Sequence, residues 1–167
     1  MQCVILAAGE GSRMRPLTSS RPKVMLPLAG KPMLEHLIRN VRDAGITDII
    51  LVVGYHEDAI RKCFDNGLKF GVSIRYVVQR KQMGTADALR TAEPFIHEQF
   101  LMLNGDMIVE TSDLLKIIGQ PGPVMATYTT AHPESFGVVT VENDKITTLE
   151  EKSLHPKSNI INAGAYL

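Results

Sequence analysis

Short, wholly apolar runs alternate along most of this chain with stretches whose apolar residues recur every three or four positions. Residues 4–7 (Val4-Ile5-Leu6-Ala7) and 48–53 are continuous apolar runs, the mark of strands covered on both faces. Between them Leu34, Leu37, Ile38, Val41 and Ala44 share one helical face, with Lys31-Pro32 as the start and Gly45 as the stop. The same reading predicts a helix over 56–64 with Ile60, Cys63 and Phe64 inward, and a strand over 72–78. A further helix opens at Gly84-Thr85 and closes before Pro94, with Ala86, Ala88, Leu89 and Ala92 as packing residues. A strand over 100–103 follows, then a short helix over 114–118 with Ser112 as N-cap, and a strand over 124–130. The pattern then changes. Residues 137–141 and 145–149 read as a hairpin around Glu142-Asn143-Asp144, and residues 160–167 as a last strand.

Alternating strands and helices predict an α/β domain with a largely parallel sheet, whose ligands bind at the carboxyl ends of the strands. The longest stretch without periodicity lies at such an end, from Ala8 to Gly30. Small residues and two glycines, Gly9 and Gly11, follow the first strand, so a ligand can approach the backbone closely. Unpaired N–H groups of such a loop form an anion-binding concavity, to which Arg13 and Lys23 add full positive charge. This predicts a phosphate site. It is neither a dinucleotide fingerprint, because Met14 stands where a third glycine is needed, nor a Walker A loop, because Gly-Lys-Ser/Thr is absent.

Composition narrows the picture only slightly. The 167 residues fit one domain without internal repeat or linker, 44% hydrophobic and 22% charged, with zero net charge. Scattered basic residues predict no general nucleic-acid surface. No apolar run approaches about 18 residues, so no membrane span is expected, and the N-terminus does not read as a signal peptide. The expected location is therefore cytoplasmic, with Cys3 and Cys63 as reduced thiols. His36, His56, His97, His132 and His155 never fall at zinc-ligand spacing.

Several polar residues sit where strands end. Asp106, in Asn104-Gly105-Asp106, is placed either to hold Mg²⁺ on a triphosphate or simply to make a turn. Gln79 is either an exposed loop residue or an amide that reads a base edge. Glu151 and Lys152 read equally well as a solvated charge pair on the hairpin.

The long ordered run L-A-A-G-E-G-S-R-M-R-P-L-T, then R-P-K-V-M-L-P-L-A-G-K-P-M-L, resembles the signature of the sugar-1-phosphate nucleotidyltransferases. Leu103-Asn104-Gly105-Asp106, Gln79 followed by Gly84-Thr85-Ala86-Asp87-Ala88-Leu89, Phe136-Gly137-Val138-Val139 and Glu150-Glu151-Lys152 match further family segments. The implied fold is a Rossmann-like, three-layer α/β domain of the glycosyltransferase-A-like kind with a mostly parallel sheet. Residues 1–167 correspond to the N-terminal part of the family's catalytic domain, with its C-terminal part, including a second metal ligand, expected beyond residue 167. The resemblance implies Arg13 on the triphosphate and Lys23 on the reacting phosphates. It implies Asp106 on Mg²⁺, and Leu6, Ala8, Gly9, Gly11, Gln79, Gly84 and Thr85 around the nucleotide. Gly137, Glu151, Lys152 and Asn162 fall on the sugar phosphate. Ser153, where the family usually has proline, and Ala163, where a related Ile-Asn-Thr-Gly segment has threonine, are departures.

The implied reaction joins a nucleoside triphosphate, UTP or dTTP, to a sugar-1-phosphate of the glucose or N-acetylglucosamine type, with Mg²⁺ and release of pyrophosphate. The alternative is a regulatory subunit of the same fold that binds nucleotide-sugars without turnover. A homo-oligomer is compatible with either.

Overall fold

A computed structural model describes residues 1–167. Its strands are β1 (Gln2–Ala7), β2 (Pro27–Leu28), β3 (Lys31–Pro32), β4 (Asp48–Val53), β5 (Ser73–Val78), β6 (Phe100–Asn104), β7 (Met125–Thr129), β8 (Gly137–Glu142), β9 (Lys145–Glu151) and β10 (Ile160–Tyr166). The α-helices are α1 (Met33–Asp43), α2 (Glu57–Phe64), α3 (Thr85–Ala92) and α4 (Thr111–Ile118). None is long and apolar enough to cross a membrane.

The apolar runs form the centre of one large sheet. β5, β4, β1 and β6 lie side by side and parallel, with Ile5 opposite both Leu51 and Leu103. Alternate residues of these strands serve two cores. Cys3, Ile5, Ile49, Leu51 and Leu103 face α1, α2 and α4 in a cluster of 22 buried residues. Val4, Ile50, Val52 and Met102 face α3 in a smaller cluster of 7 that includes Ala88 and Ala92. The continuous apolar reading of β4 follows from this, since Ile49 to Val53 are all fully buried.

The other half of the sheet is built around β10, which runs antiparallel to β6, β7 and β8. β7 and β8 therefore point the same way as the parallel four, while β10 and β9 oppose them. Ile161 pairs with both Tyr128 of β7 and Val138 of β8, and Tyr166 pairs with both Met125 of β7 and Met102 of β6. One edge of β10 is thus covered by β7, and the other is shared end to end by β6 and β8. The sheet divides where β6 gives way to β8, beside a register shift between Asn162 and Tyr166. The hairpin forms as the sequence predicts: Asn143 and Asp144, at φ 50° and 59°, make the two-residue turn between paired Glu142 and Lys145.

Two local expectations are corrected. Residues 31–32 do not begin a helix; they pair with residues 27–28 in a small ribbon, and extended Pro32 caps α1. Ser112 is not an N-cap. Helix α4 begins at Thr111, its cap two residues before Ser112, and the N–H groups of Asp113 and Leu114 donate to the carbonyl of Glu110, which stands at the cap without a side-chain bond. The Glu110 backbone supplies what a serine hydroxyl was expected to supply.

Candidate functional site

The carboxyl ends of β1, β5 and β6, the start of β8, the end of β9 and the middle of β10 converge on one cleft of about 950 Å³. Each of the fourteen residues singled out from the sequence lines it.

Its first wall is the loop after β1. Gly11 has φ 68°, and a Cβ there would lie 2.8 Å from Cβ of Lys23, so the loop needs glycine on both counts. The hydroxyl of Thr18, fully buried, donates to the carbonyl of Gly11 at 2.9 Å and closes the loop on itself. Just beyond β4, the Tyr55 hydroxyl lies 3.3 and 3.2 Å from the carbonyl oxygens of Thr18 and Ser19, while the Tyr55 N–H donates to the carbonyl of Ala8. Gln82 donates to the same Ala8 carbonyl at 2.8 Å. The loop is therefore strapped down at both ends. Two of its arginines differ: Arg15 is paired with Glu10, whereas Arg13 lines the cleft with no carboxylate partner.

Lys23 begins a short 3₁₀ turn (Lys23–Met25) anchored by buried Val24. Its ammonium donates to Oδ2 of Asp106 at 2.6 Å. Asp106 reaches this place because Gly105 packs against β1, donating its N–H to the carbonyl of Leu6 at 2.8 Å. A Cβ on Gly105 would lie 2.7 Å from that oxygen. Lys23 and the strand-end carboxylate, 83 residues apart in sequence, thus form one ion pair in the cleft. No cluster of three histidine, cysteine or acidic side chains is present to hold a metal unaided. The donor set fits Mg²⁺ brought in with phosphates, because one carboxylate suffices where phosphate oxygens and water complete six hard ligands.

A second wall is built around Gln79. Gln79, beyond β5, is buried rather than exposed, and its amide N–H₂ donates to Oδ2 of Asp87 at 2.9 Å and to the carbonyl of Gly84 at 3.3 Å. Gly84 and Thr85, at the N-terminus of α3, line the cleft beside it.

The opposite wall comes from the antiparallel half. Gly137 pairs with Glu151 across the hairpin, and the Lys152 N–H donates to the carbonyl of Phe136 at 2.9 Å. Lys152 has φ 50°, an uncommon conformation for a lysine, held at the lip of the cleft. Asn162 is tied within its own strand: Oδ1 accepts from the N–H of Gly164 at 2.9 Å, and Nδ2 donates to the Tyr166 hydroxyl. Sequence reasoning missed Gln82, Asn104 and Ser135 in the lining and the Tyr55 strap. Only Gln82 carried a signal, standing two residues before Gly84.

The charged lining is Arg13, Lys23 and Lys152 against Asp106 and Glu151, so the cleft presents a positive surplus to an anionic ligand. The shifted ionisable groups lie elsewhere. Burial raises the Cys3 and Cys63 thiols and pushes the Tyr76 phenol up to about 12, against the partial opposition of Arg61 for Tyr76.

Comparison with known proteins gives a consistent result. The nucleotidyl transferase family profile matches residues 2–167. The bifunctional protein GlmU of Methanocaldococcus jannaschii is 42% identical over 167 residues, covering 99% of this chain and 39% of that protein. The chain thus spans well under half the length of this relative. A UTP–glucose-1-phosphate uridylyltransferase of Haloferax volcanii, AglF, is 37% identical, with 99% of this chain and 71% of that protein covered. Among solved structures, a Bacillus anthracis protein described as a glucose-1-phosphate thymidylyltransferase, crystallised with sucrose, superposes with a TM-score of 0.89. It is 32% identical, and the match covers 99% of this chain and 70% of that one.

Proposed function

Because the chain belongs to the nucleotidyl transferase family, we propose that its cleft joins a nucleoside triphosphate to a sugar-1-phosphate. An oxygen of the sugar phosphate attacks the α-phosphorus of the triphosphate in line. The bond from that phosphorus to the α–β bridging oxygen breaks, and pyrophosphate leaves with the electron pair. No protein nucleophile is needed. The work left to the protein is positioning and charge stabilisation.

One observation carries this reading: a strapped glycine loop with an unpaired arginine, a strand-end ion pair and a basic hairpin lip all face one cleft. Arg13 faces the departing pyrophosphate end, and Lys23 the reacting phosphates. Lys23 is held on Asp106 at 2.6 Å. Incoming phosphate oxygens give its ammonium a second set of acceptors. Asp106 would hold Mg²⁺ together with those oxygens, and the ion would supply further neutralisation of the triphosphate. Leu6, Ala8, Gly9 and Gly11 form the nucleotide wall through their backbone, with Gln79, Gly84 and Thr85 against the base. Lys152 takes the sugar phosphate, Glu151 accepts from sugar hydroxyls, and Gly137 and Asn162 line the sugar side. The names of the relatives favour UTP or dTTP as donor and glucose-1-phosphate or its N-acetylamino analogue as acceptor.

The test is pyrophosphate release with Mg²⁺ over a matrix of UTP, dTTP, GTP and ATP against glucose-, N-acetylglucosamine- and mannose-1-phosphate. The proposal expects release that requires both partners and favours one pair. Tight nucleotide-sugar binding without release from any pair would instead mark a sensing subunit.

A further inference from the structure

We propose that Asp87 is a positioning residue that fixes the Gln79 amide carbonyl-outward, so that the cleft selects pyrimidines bearing an imide N–H, uracil and thymine, over cytosine. The proposal rests on the reading of this cleft as a triphosphate site.

A glutamine amide can present either of its ends, and which one it presents decides what it recognises. Here the choice is made by chemistry. The two groups within reach of one end of Gln79 are Oδ2 of Asp87 at 2.9 Å and the carbonyl oxygen of Gly84 at 3.3 Å. Both only accept, so that end must be the N–H₂. Turned over, Oε1 would meet two acceptors at once. The Asp87 carboxylate is itself held, its Oδ1 accepting from Nη2 of Arg90 at 3.0 Å, in the first turn of α3 where a negative charge is favoured.

Oε1 points the other way. It has no hydrogen-bond partner within the protein, and no buried side-chain nitrogen or oxygen anywhere in the chain lacks one. Gln79 is 6% exposed and lines the cleft, so its small open area includes the carbonyl end. The wall therefore offers a base one fixed acceptor. At the position where N3 of a pyrimidine meets it, uracil and thymine donate an N–H. Cytosine presents a lone pair there, leaving two acceptors facing each other at the buried Gln79. Such an unpaired contact costs roughly ten- to a hundredfold in affinity. UTP and CTP share ribose and phosphates, so their ratio isolates this edge.

Removing Asp87 leaves only the longer contact to the Gly84 carbonyl at 3.3 Å, so the amide is freer to rotate and present N–H₂. Asp87→Ala should then weaken UTP and strengthen CTP, a pair of opposite changes that loss of structure cannot produce. Calorimetric titration of the chain with each nucleotide in Mg²⁺ reads both affinities. Wild type should prefer UTP over CTP by about tenfold or more. Asp87→Ala should bring the ratio near one. Gln79→Leu should do the same, and Asp87→Ala should change the ratio no further in that background. Equal binding of UTP and CTP by wild type overturns the proposal, as does a wild-type ratio surviving in Asp87→Ala or in Gln79→Leu. Binding of UTP without pyrophosphate release would refute catalysis while leaving this selection fully testable. Binding of no triphosphate at all would refute both.

Discussion

The two halves of the sheet are built on different terms. In the parallel half β4 is buried from Ile49 to Val53 and helices cover both faces. In the antiparallel half every residue of β9 is exposed, including Ile146 and Leu149. The cleft lies between them. Its glycine loop and Gln79 grow out of the parallel half, strapped by Thr18, Tyr55, Gln82 and Asp87. Glu151 and Lys152 stand on the hairpin, which is held by its own ladder and a few loop bonds. On the proposed function, the well-packed half would align the triphosphate for in-line transfer and the hairpin would carry the sugar side.

The largest effect should come from the parallel half. Arg13→Ala is expected to lower turnover about 10³-fold or more, by analogy with arginines that stabilise phosphoryl transfer. Removing Mg²⁺ with a chelator should abolish pyrophosphate release. Steady-state assays in the sugar-phosphate matrix check both. Next, Leu51→Ala in β4 should cost about 2–5 kcal/mol of stability in urea unfolding. Leu149→Ala in β9 should stay within about 0.5 kcal/mol. Equal costs would erase the contrast between the halves.

Smaller still is the change expected from Lys152→Ala. It should raise KM for the sugar phosphate about tenfold, the scale of one charge-assisted contact, and leave KM for the triphosphate nearly unchanged. The smallest concerns pH. Tyr76 of β5, its phenol pushed up to about 12 chiefly by burial, ionises less readily folded than unfolded. Its contribution is whole below about pH 10 and is lost as pH rises from there toward 12. Tyr76→Phe should unfold with a shallower alkaline decline, a difference of about 1–2 kcal/mol at most.

Much of this was legible in the sequence, for physical reasons that also mark where legibility stops. Strands buried on both faces must be continuously apolar, so β1, β4 and β6 announce themselves, and the loops at their carboxyl ends carry the chemistry. Asn143-Asp144 tolerates the left-handed turn that the hairpin requires. What could not be read was what distant residues do to one another. The Lys23–Asp106 pair spans 83 positions, and the Tyr55 strap joins the turn after β4 to a loop 37 residues earlier. Asp87 reads as an ordinary helix-start acid until Gln79 is seen folded against it. Pro32 and Ser112 misled because an extended proline and a backbone carbonyl serve as helix caps where a serine hydroxyl is the stronger sequence signal.

If one cleft holds the triphosphate on the parallel half and the sugar phosphate on the antiparallel half, each ligand alone protects a different set of amides. Amide hydrogen exchange, run on the chain with Mg²⁺ and either UTP or glucose-1-phosphate alone, distinguishes them. UTP should protect the loop around Gly9 and Gly11 and the segment from Gln79 to Thr85. The sugar phosphate should protect the hairpin around Gly137 and Lys152. Protection of the hairpin by UTP, with the glycine loop untouched, would contradict that placement.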